Sequence, residues 1–435
     1  MRVSKYLYIL ESVEGKSIIF NAISRRFLLI PRENTKDFVG MIRHAAEKNK
    51  PTPFFSKLVE AQFLIDDGAN ELEQVRQNWQ RNRNNDVYHT LIIPTYNCNF
   101  SCWYCTQHHE STVITPKVMD LMVLHIINYI INNNIKSYRI SWFGGEPLLE
   151  LDTIDYICSR ILNFCIQHGI DFRGQITTNG SLLTDDVIYM LKKNNINDYQ
   201  ITLDGNHSHH NQVKKSENIH SSFELTLGNI KSLIQKNSQA TVILRHNYTG
   251  KSLRDVSILS DINNIIPQEL RPRIYFDPKR IWQIKESEID ANLLFQLLYL
   301  FGESGYRLST SGPLDMCYVD RIHYNTLFFN GKMDKCDNLP LESLRGYLNE
   351  EGKDIWIEQP AYLSYDILDN ETKCIGCRYL PLCMGGCPWK REKHIKKNEP
   401  MECPPEKDLF FEHNVLDLCW RQMINDSHHP SYLSL

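Results

Sequence analysis

Three cysteines crowd into the segment TYNCNFSCWYC, directly after the strand-like run LIIPT. Cys98, Cys102 and Cys105 follow the spacing C-x3-C-x2-C, which lets a tight loop place three thiolates at three corners of a cubane [4Fe–4S] cluster. The fourth iron would then stay open to a further ligand. Zinc is the alternative, although structural zinc sites are normally closed by four ligands, and His108 and His109 are nearby residues that could compete as ligands.

A second set of cysteines lies near the C-terminus. It runs Cys317-x13-Gly331-x4-Cys336, then Cys374-x2-Cys377-x5-Cys383-x3-Cys387, and ends at Cys403. By itself, the CIGC pair with the two cysteines that follow it also fits a zinc ribbon. Cys158, Cys165 and Cys419 stand apart in helix-like segments, where we expect buried thiols that behave as small hydrophobic side chains.

The composition is typical of a soluble globular protein, with 435 residues, 42% of them hydrophobic and 23% charged. The net charge of −4 gives no overall attraction to nucleic acid or to an anionic membrane, so we expect neither as a partner. Glu11 interrupts the N-terminal apolar run, which makes it a poor signal peptide, and the stretch Leu121–Ile131 is too short and polar to span a bilayer. We therefore expect a cytoplasmic protein in which clustered cysteines bind metal rather than form disulfides.

From residue 88 onward, strand-like runs alternate with amphipathic helical segments. About six β/α units predict a parallel sheet that is closed, or partly closed, as a barrel with its chemistry at the carboxyl ends of the strands. The motifs GGEP, TNG and TLDG each follow one of these runs. We therefore expect an α/β chain with a partial TIM-like (β/α)6 barrel over residues 88–305, an irregular cysteine-rich domain over 310–410, and a C-terminal helix and tail over 411–435.

Residues 1–85 are predicted to form a separate small α+β domain. KYLYILES and SIIFNAISRRFLLI are strand-like runs joined by the turn-like VEGK, which indicates a hairpin, and three helical patterns follow. A hairpin with about three helices is the make-up of a winged-helix-like module that binds peptides. A scaffold that only braces the catalytic domain is the alternative.

The cysteine spacing and the strand-end motifs together resemble the radical S-adenosylmethionine (SAM) superfamily, whose signature is C-x3-C-x-aromatic-C, here with Tyr104 before Cys105. The resemblance implies that SAM chelates the open iron through its amino and carboxylate groups. One electron from the reduced cluster then cleaves SAM to methionine and a 5′-deoxyadenosyl radical, which abstracts a hydrogen atom. It also implies a reducing partner such as flavodoxin or ferredoxin.

The same resemblance implies a set of SAM-binding residues at the strand ends: Tyr104, Gly144, Gly145, Glu146, Asn179, Thr202, Lys214 and Arg245. Glycine lets the backbone approach a ligand closely, and an acceptor carboxylate such as Glu146 suits an ammonium group. Lys214 stands where relatives usually carry Arg for the carboxylate of SAM, and it lacks the bidentate geometry of a guanidinium. For Arg245, a salt-bridge role without SAM contact is the alternative.

The C-terminal cysteines resemble the SPASM extension of radical SAM enzymes, which binds two auxiliary [4Fe–4S] clusters. The implied ligands of the outer cluster are Cys374, Cys377, Cys383 and Cys403, and those of the inner cluster are Cys317, Cys336 and Cys387. The inner set is one cysteine short, and its fourth ligand is left open among the substrate, another side chain, a remote cysteine and none. Asp337 resembles the general base of the sulfatase-maturing branch, with a loop-capping Asp as the alternative.

Two functions within this superfamily fit the sequence. The first is maturation of a ribosomally made peptide (a RiPP), in which hydrogen abstraction leads to a thioether, carbon–carbon or ether cross-link or to a related modification. The N-terminal domain favours this first function. Such maturases commonly carry there a module like the RiPP recognition element (RRE), which captures the leader of the precursor peptide by strand addition. The second is anaerobic sulfatase maturation, which oxidises Cys or Ser to formylglycine. A non-catalytic iron–sulfur carrier or scaffold is the alternative of another class, and it would need neither an open-site triad nor GGEP.

Overall fold

The computed structural model describes residues 1–48, 53–107, 109–312 and 314–427. The chain divides into two compact units. The first comprises Met1–Asn85, Thr310–Ile322 and Pro360–Leu435, and the second comprises Asp86–Ser309 and His323–Gln359. His108 and the end of the expected C-terminal tail lie outside the described residues. None of the described helices has an apolar stretch long enough to cross a bilayer.

The N-terminal segment of the first unit is a small α+β arrangement. Its elements are β1 (Arg2–Val3), β2 (Leu7–Glu11), β3 (Lys16–Asn21), β4 (Phe27–Pro31), α1 (Thr35–Lys48), α2 (Pro53–Glu60), β5 (Leu64–Ile65) and α3 (Glu71–Arg83). β2, β3 and β4 form an antiparallel sheet with β3 in its centre, and β1 pairs with β5. The second strand-like run divides into β3 and β4 because the Asn21 side chain accepts hydrogen bonds from the N–H groups of Ile23 and Ser24 at 2.9 and 3.0 Å, which turns the chain.

The second unit is built on a parallel sheet. Its strands are β6 (Val87–Ile93), β7 (Ser137–Trp142), β8 (Asp171–Thr178), β9 (Ile196–Thr202), β10 (Thr241–Tyr248), β11 (Ile274–Arg280) and β12 (Arg307–Leu308). Each strand pairs in parallel with the next one along the chain. The connecting helices are α4 (Pro116–Asn132), α5 (Leu151–His168), α6 (Asp185–Lys193), α7 (His207–Val213), α8 (Ser222–Lys236), α9 (Ser257–Asn263) and α10 (Ala291–Glu303). The α/β class predicted from the sequence is thereby confirmed.

Burial and capping explain why these elements form where they do. Tyr138, Ile140 and Trp142 alternate along β7 and are fully buried, as the two-residue period of a strand requires. Thr115 and Thr184 begin α4 and α6 by accepting hydrogen bonds from the N–H groups three residues ahead. Because successive strands run in parallel, the carboxyl ends of β6 to β10 all lie along one edge of the sheet.

Residues 323–359 extend this sheet, which differs from the irregular segment expected from the sequence. β13 (Tyr324–Phe328) pairs in parallel with β6, and β14 (Lys332–Asp334), β15 (Gly346–Leu348) and β16 (Asp354–Trp356) follow in antiparallel pairings. Every residue of β13 is buried. A strand that is buried on both faces lacks the alternation that marks a half-exposed strand, so its pattern is easily missed.

The cysteine-rich segment of the first unit consists of short helices and one long one: α11 (Ile367–Asn370), α12 (Thr372–Ile375), α13 (Leu380–Cys383), α14 (Pro388–Lys397) and α15 (Lys407–Ser427). It is tied to the N-terminal segment within the same unit. The Arg76 guanidinium lies 2.5 Å from the Asp366 carboxylate and 2.7 Å from that of Asp369. Trp420 Nε1 donates a hydrogen bond to Ser12 Oγ at 2.9 Å.

The three cysteines outside the clustered sets are buried, as expected from the sequence. Cys158 and Cys165 on α5 and Cys419 on α15 have no solvent exposure, and none of the chain's cysteines forms a disulfide. Burial raises the pKa of each of these three thiols. They therefore stay protonated and pack as small apolar side chains.

A buried ion pair holds β14 against the start of β15. Arg345 Nη2 and Nε lie 2.7 and 2.9 Å from the two carboxylate oxygens of Asp334, which is fully buried. We expect Arg345→Met to lower the free energy of unfolding by about 3–5 kcal/mol, because it leaves a buried carboxylate without its counter-charge. Urea unfolding of the variant and of the native chain measures this difference.

The double variant Asp334→Asn/Arg345→Met is the control, since it removes both charges together. It should recover most of the lost stability. A double variant as unstable as Arg345→Met alone would show that packing, rather than charge pairing, accounts for the loss.

Candidate functional site

The three cysteines of TYNCNFSCWYC lie on the loop that follows β6. The N–H of Phe100 points to Cys98 Sγ at 3.5 Å, and the N–H of Cys105 donates to the carbonyl of Cys102 at 3.1 Å. Cys105 Sγ lies 3.5 Å from His109 Nε2. The loop therefore brings the predicted triad to one strand end and places His109, the alternative ligand, beside it.

The glycine pair of GGEP lets the end of β7 meet this cysteine loop. The N–H of Gly145 donates to Thr95 O at 3.1 Å, and the N–H of Glu146 donates to Asn97 O at 2.8 Å. A Cβ atom would stand 2.5 Å from Thr95 O at Gly144 and 2.1 Å from Asn97 O at Gly145. From the sequence we expected the glycines to admit a ligand; in the structure they admit the backbone that carries the cysteines.

The Glu146 carboxylate is fully buried and joins the ends of β7 and β8. It accepts hydrogen bonds from Thr178 Oγ1 at 2.7 Å, from the N–H of Asn179 at 2.8 Å and from the N–H of Leu148 at 3.0 Å. Burial raises its pKa and these hydrogen bonds oppose the shift. Glu146 thus positions the strand ends, and its predicted contact with an ammonium group remains a prediction.

Asn179 reaches back to the cysteine loop. Its Nδ2 donates to Asn99 Oδ1 at 2.8 Å, and Asn99 Nδ2 donates to Ser181 Oγ at 2.9 Å. Asn99 was not among the residues selected from the sequence, although its position between Cys98 and Cys102 was the available signal. The amide pair fixes the first half of the loop to the end of β8.

Half-buried Tyr104 and the buried Asp204 and Lys214 form a polar group beside the triad. Tyr104 Oη donates to the two Asp204 oxygens at 2.9 and 2.8 Å, and Lys214 Nζ lies 3.5 Å from both Tyr104 Oη and the Asp204 carboxylate. Burial opposes the charge on Lys214, but the Asp204 carboxylate together with Tyr104 and Cys102 outweighs burial, and the pKa of Lys214 is raised. Lys214 is therefore a buried cation, and Asp204 is a functional candidate that the TLDG motif offered but that was not selected from the sequence.

The remaining predicted residues continue this group along the next strands. Arg245 Nε donates to Asn247 Oδ1 at 3.0 Å, and Asn247 Nδ2 donates to Tyr104 Oη at 3.1 Å. Thr202, at the end of β9, pairs in register with Arg245 on β10. The structure thus connects Arg245 to the site through an amide, and Asn247 joins the candidates.

Two buried histidines contact the backbone of the TLDG turn. The N–H of Asp204 donates to His210 Nδ1 at 3.1 Å, and the N–H of Gly205 donates to His246 Nδ1 at 3.2 Å. Burial lowers the pKa of His210 to about 3 and that of His246 to about 4. Both rings are therefore neutral at ordinary pH and can accept these backbone hydrogen bonds.

Asp337 is half-buried on the loop after β14. The Asp334 carboxylate orders the start of this loop by accepting hydrogen bonds from the N–H groups of Lys335 at 2.7 Å and Cys336 at 3.4 Å. The pKa of Tyr96, on the cysteine loop, is raised to about 12 by burial and then by the charge of Asp337. The role of Asp337 as a general base remains a prediction.

The four cysteines assigned to the outer auxiliary cluster all belong to the first unit. The pKa of Cys383 is raised to about 11 by burial and by the charges of Cys374, Cys377 and Cys403. The N–H of Cys377 donates to Cys374 O at 2.9 Å, and the assignment of the four thiols to one cluster remains a prediction. Of the inner set, Cys317 and Cys387 belong to the first unit and Cys336 to the second, and this ligand set remains a prediction.

The side chains around the triad fit the groups that its spacing predicted. Three thiols on one loop, none of them in a disulfide, are a suitable donor set for an iron–sulfur cluster. Asp204 and Lys214 offer one charge of each sign beside it. Among the described residues, no three His, Cys, Asp or Glu side chains converge as closely as one metal ion requires.

Comparisons with known sequences agree with this chemistry. Residues 92–259 match the sequence profile of the radical SAM superfamily. The radical SAM cyclopropyl synthase TigE of Paramaledivibacter caminithermalis is 26% identical over 191 residues, which are 37% of this chain and 40% of that enzyme. The cysteine-type anaerobic sulfatase-maturating enzyme of Clostridium novyi is 24% identical over 372 residues, which are 76% of this chain and 96% of that enzyme.

Solved structures share the fold. The enzyme anSMEcpe with bound AdoMet aligns with a TM-score of 0.57 at 16% identity, over 78% of this chain and 100% of that one. Streptococcus suis SuiB bound to its precursor peptide SuiA aligns with a TM-score of 0.51 at 15% identity, over 92% of this chain and 98% of that one. The second unit therefore shares the α/β fold of these structures, and it contains the residues 92–259 that match the radical SAM profile.

The close approach at Gly145 gives a direct test of the site's geometry. We expect Gly145→Ala to lower stability by at least about 1–3 kcal/mol, because a Cβ placed 2.1 Å from Asn97 O must push the cysteine loop away. Iron bound per chain after anaerobic reconstitution should fall in parallel. Thermal unfolding and iron analysis measure the two effects.

Gly228→Ala on α8 is the matched control. A Cβ there meets nothing within 4 Å, and alanine favours a helix over glycine by about 0.5–1 kcal/mol. This control should keep its iron and its stability. Normal iron content in Gly145→Ala would contradict a role of the glycine pair in placing the triad.

Proposed function

Because residues 92–259 form a radical SAM domain, we propose that this chain is a peptide maturase that uses SAM to abstract a hydrogen atom from a precursor peptide. The observation that supports the proposal is the close backbone contact between the cysteine loop and the GGEP motif. A triad with one open coordination position, held at the carboxyl end of a strand by two backbone hydrogen bonds, suits a ligand that binds both metal and protein.

In this proposal Cys98, Cys102 and Cys105 hold the [4Fe–4S] cluster. When bound, the cluster with SAM supplies the one-electron cleavage that yields methionine and a 5′-deoxyadenosyl radical. Lys214 offers its ammonium to the carboxylate of SAM, and Asp204 balances that charge when SAM is absent. Their burial excludes water, which strengthens charge pairing at this edge of the sheet.

Structural relatives support a peptide substrate. SuiB was solved with the precursor peptide SuiA, and anSMEcpe was solved with the Cp18Cys peptide. The outer set of four cysteines would hold an auxiliary cluster, as the SPASM resemblance implies. A reduced flavodoxin or ferredoxin would supply the electron.

Sulfatase maturation is the second candidate. The sulfatase-maturating relative matches along 96% of its length, and Asp337 would serve as the general base for Cys or Ser oxidation. The two candidates differ in product, because formylglycine carries an aldehyde whereas a cross-link removes two hydrogen atoms from the peptide.

The first test is SAM cleavage by the anaerobically reconstituted chain with dithionite. We expect release of 5′-deoxyadenosine, its loss in Cys102→Ala, and its retention in Cys165→Ala, since Cys165 is buried on α5 outside the cysteine sets. Chromatography with mass detection measures the product. A reconstituted chain that binds iron but never releases 5′-deoxyadenosine, even with substrate, would support the scaffold alternative.

Mass spectrometry of candidate substrates then separates the two functions. A co-expressed precursor peptide that loses two hydrogens supports the maturase. A Cys-containing sulfatase peptide that gains an aldehyde supports the alternative.

We further propose that the leader of the precursor adds to β4. Among the described residues, β2 and β4 are the edges of the N-terminal sheet. The N–H of Arg32 donates to Gly15 O at 2.8 Å, so these two residues form a hydrogen-bonded pair. Hydrogen-bonded and non-hydrogen-bonded pairs alternate along an antiparallel ladder. Leu29, three residues before Arg32, is therefore in a non-hydrogen-bonded pair, and its N–H points away from β3. Pro31, two residues further along β4, is likewise in a position that faces away from β3, where a strand tolerates a missing N–H.

Leu29→Pro should therefore block strand addition without breaking the ladder to β3. We expect it to weaken binding of a fluorescent leader peptide, while Leu29→Ala, which keeps the N–H, binds more tightly than the proline variant. Fluorescence anisotropy measures both affinities. Equal affinities for the two variants would argue against strand addition at β4.

A further inference from the structure

Two tryptophans are exposed at the same edge of the parallel sheet. The chain has seven tryptophans, all within the described ranges, and only Trp103 and Trp282 are exposed, at 58% and 84%. Trp103 lies on the loop after β6, and Trp282 lies two residues after the end of β11. Single exposed apolar side chains are ordinary, but two indoles at one edge of one sheet indicate a surface that binds something.

Each of these tryptophans is the second residue of a hydrogen-bonded turn. Around Trp103, the N–H of Cys105 donates to Cys102 O at 3.1 Å. Around Trp282, the N–H of Ile284 donates to Ile281 O at 3.0 Å. A turn closed in this way fixes the backbone of its two central residues. Both indoles are therefore presented from ordered backbone.

The turn that carries Trp282 is also attached to the strands behind it. The N–H of Ile281 donates to Tyr248 O at 3.0 Å, and the Ile281 side chain is buried. Arg280 Nε lies 2.9 Å from the Glu286 carboxylate, which joins the two sides of the turn. A side chain held out on a fixed turn loses little conformational freedom when it binds a partner, and this favours affinity.

The two turns are joined at their third residues, across the site. Gln283 Nε2 donates to Tyr104 O at 3.3 Å, while Tyr104 Oη donates to the Asp204 carboxylate at 2.8 Å. β6 and β11 are five strand spacings apart, about 24 Å in a flat sheet. The hydrogen bond therefore shows that the loops after these two strands meet over the carboxyl edge that carries Asp204.

The chemistry of an exposed indole favours a peptide as the partner. Tryptophan offers a large apolar surface and one N–H donor, and a peptide offers apolar side chains and backbone carbonyls that match both. The adenine of SAM is the other candidate, since it can stack on an indole. Two observations favour the peptide: Lys214, the proposed partner of SAM, is buried whereas the indoles are exposed, and Trp282 lies beyond the residues 92–259 that match the radical SAM profile.

We propose that Trp103 and Trp282, here called the tryptophan pair, bind an apolar side chain of the precursor peptide beside the SAM site. This inference rests on the proposed function in taking a peptide as the substrate. It makes the tryptophan pair a determinant of specificity: the modified region of the precursor carries an aromatic or large aliphatic residue that the indoles contact.

The test is retention of peptides from a random-sequence library by the full-length chain, reconstituted anaerobically with SAM and immobilised. Mass spectrometry measures which peptides are retained and how much of each. We expect the native chain to enrich peptides with aromatic and large aliphatic residues, and Trp282→Ala to retain about tenfold less of them, because tryptophans at the centre of an interface commonly supply much of its affinity. Trp282→Phe, which keeps a ring, should retain more than Trp282→Ala.

Tyr189→Ala is the matched control. Tyr189 lies on α6 in the same unit and is 72% exposed, so this variant removes a comparable aromatic side chain from another surface. It should retain the library as the native chain does. Trp103→Ala should lose retention as Trp282→Ala does, and iron analysis is included because Trp103 stands between two of the predicted cluster ligands.

Equal retention by the native chain and Trp282→Ala, or an equal loss in Tyr189→Ala, would overturn the inference. Weaker binding of radiolabelled SAM by Trp282→Ala would assign the tryptophan pair to SAM and would also overturn it. A chain that cleaves SAM while its peptide retention is insensitive to both tryptophans would leave the proposed reaction standing. A chain that retains peptides through Trp282 but never releases 5′-deoxyadenosine would contradict only the proposed reaction.

Discussion

The close contact between residues 95–97 and 144–146 is the constraint on which the candidate site depends. Two backbone hydrogen bonds close it, and side chains at Gly144 or Gly145 would collide with carbonyl oxygens there. Gly144 also has a φ of +128°, which other residues rarely adopt. Glu146 extends the same joint to β8, so three strand ends and the cysteine loop are fixed together before any metal binds.

Buried charge is the second condition, and it changes how Lys214 is understood. From the sequence, a lysine in place of arginine meant the loss of a bidentate partner. In the structure its ammonium reaches both Tyr104 and Asp204 at 3.5 Å, a pairing that suits a compact charge with rotatable donors. Asn247 supports the Tyr104 hydroxyl from β10, so the aromatic residue of the cysteine signature is held by its polar end as well as by its ring.

The features that could be predicted from the sequence are those that a local pattern of residues encodes. Strand and helix periods predicted the β/α order of the second unit, whereas the ligand sets inferred from the cysteine spacing remain predictions. β13 was not predicted, because a fully buried strand shows no alternation of apolar and polar residues. Two further contacts could not be predicted, because long-range contacts leave no local signature in the sequence. They are the hydrogen bonds of Glu146 and the ion pair between Arg76 and Asp366, which are 290 residues apart in the chain.

The shared unit formed by the N-terminal and cysteine-rich segments alters how a peptide-binding role is to be understood. Removing residues 1–85 would also remove Tyr8 from the loop after Cys377 and Arg76 from its two carboxylates, so lost activity would not separate leader binding from cluster support. One sheet carries both β4, an edge strand among the described residues, and Tyr8, whose ring stacks on Tyr379 in the loop after Cys377.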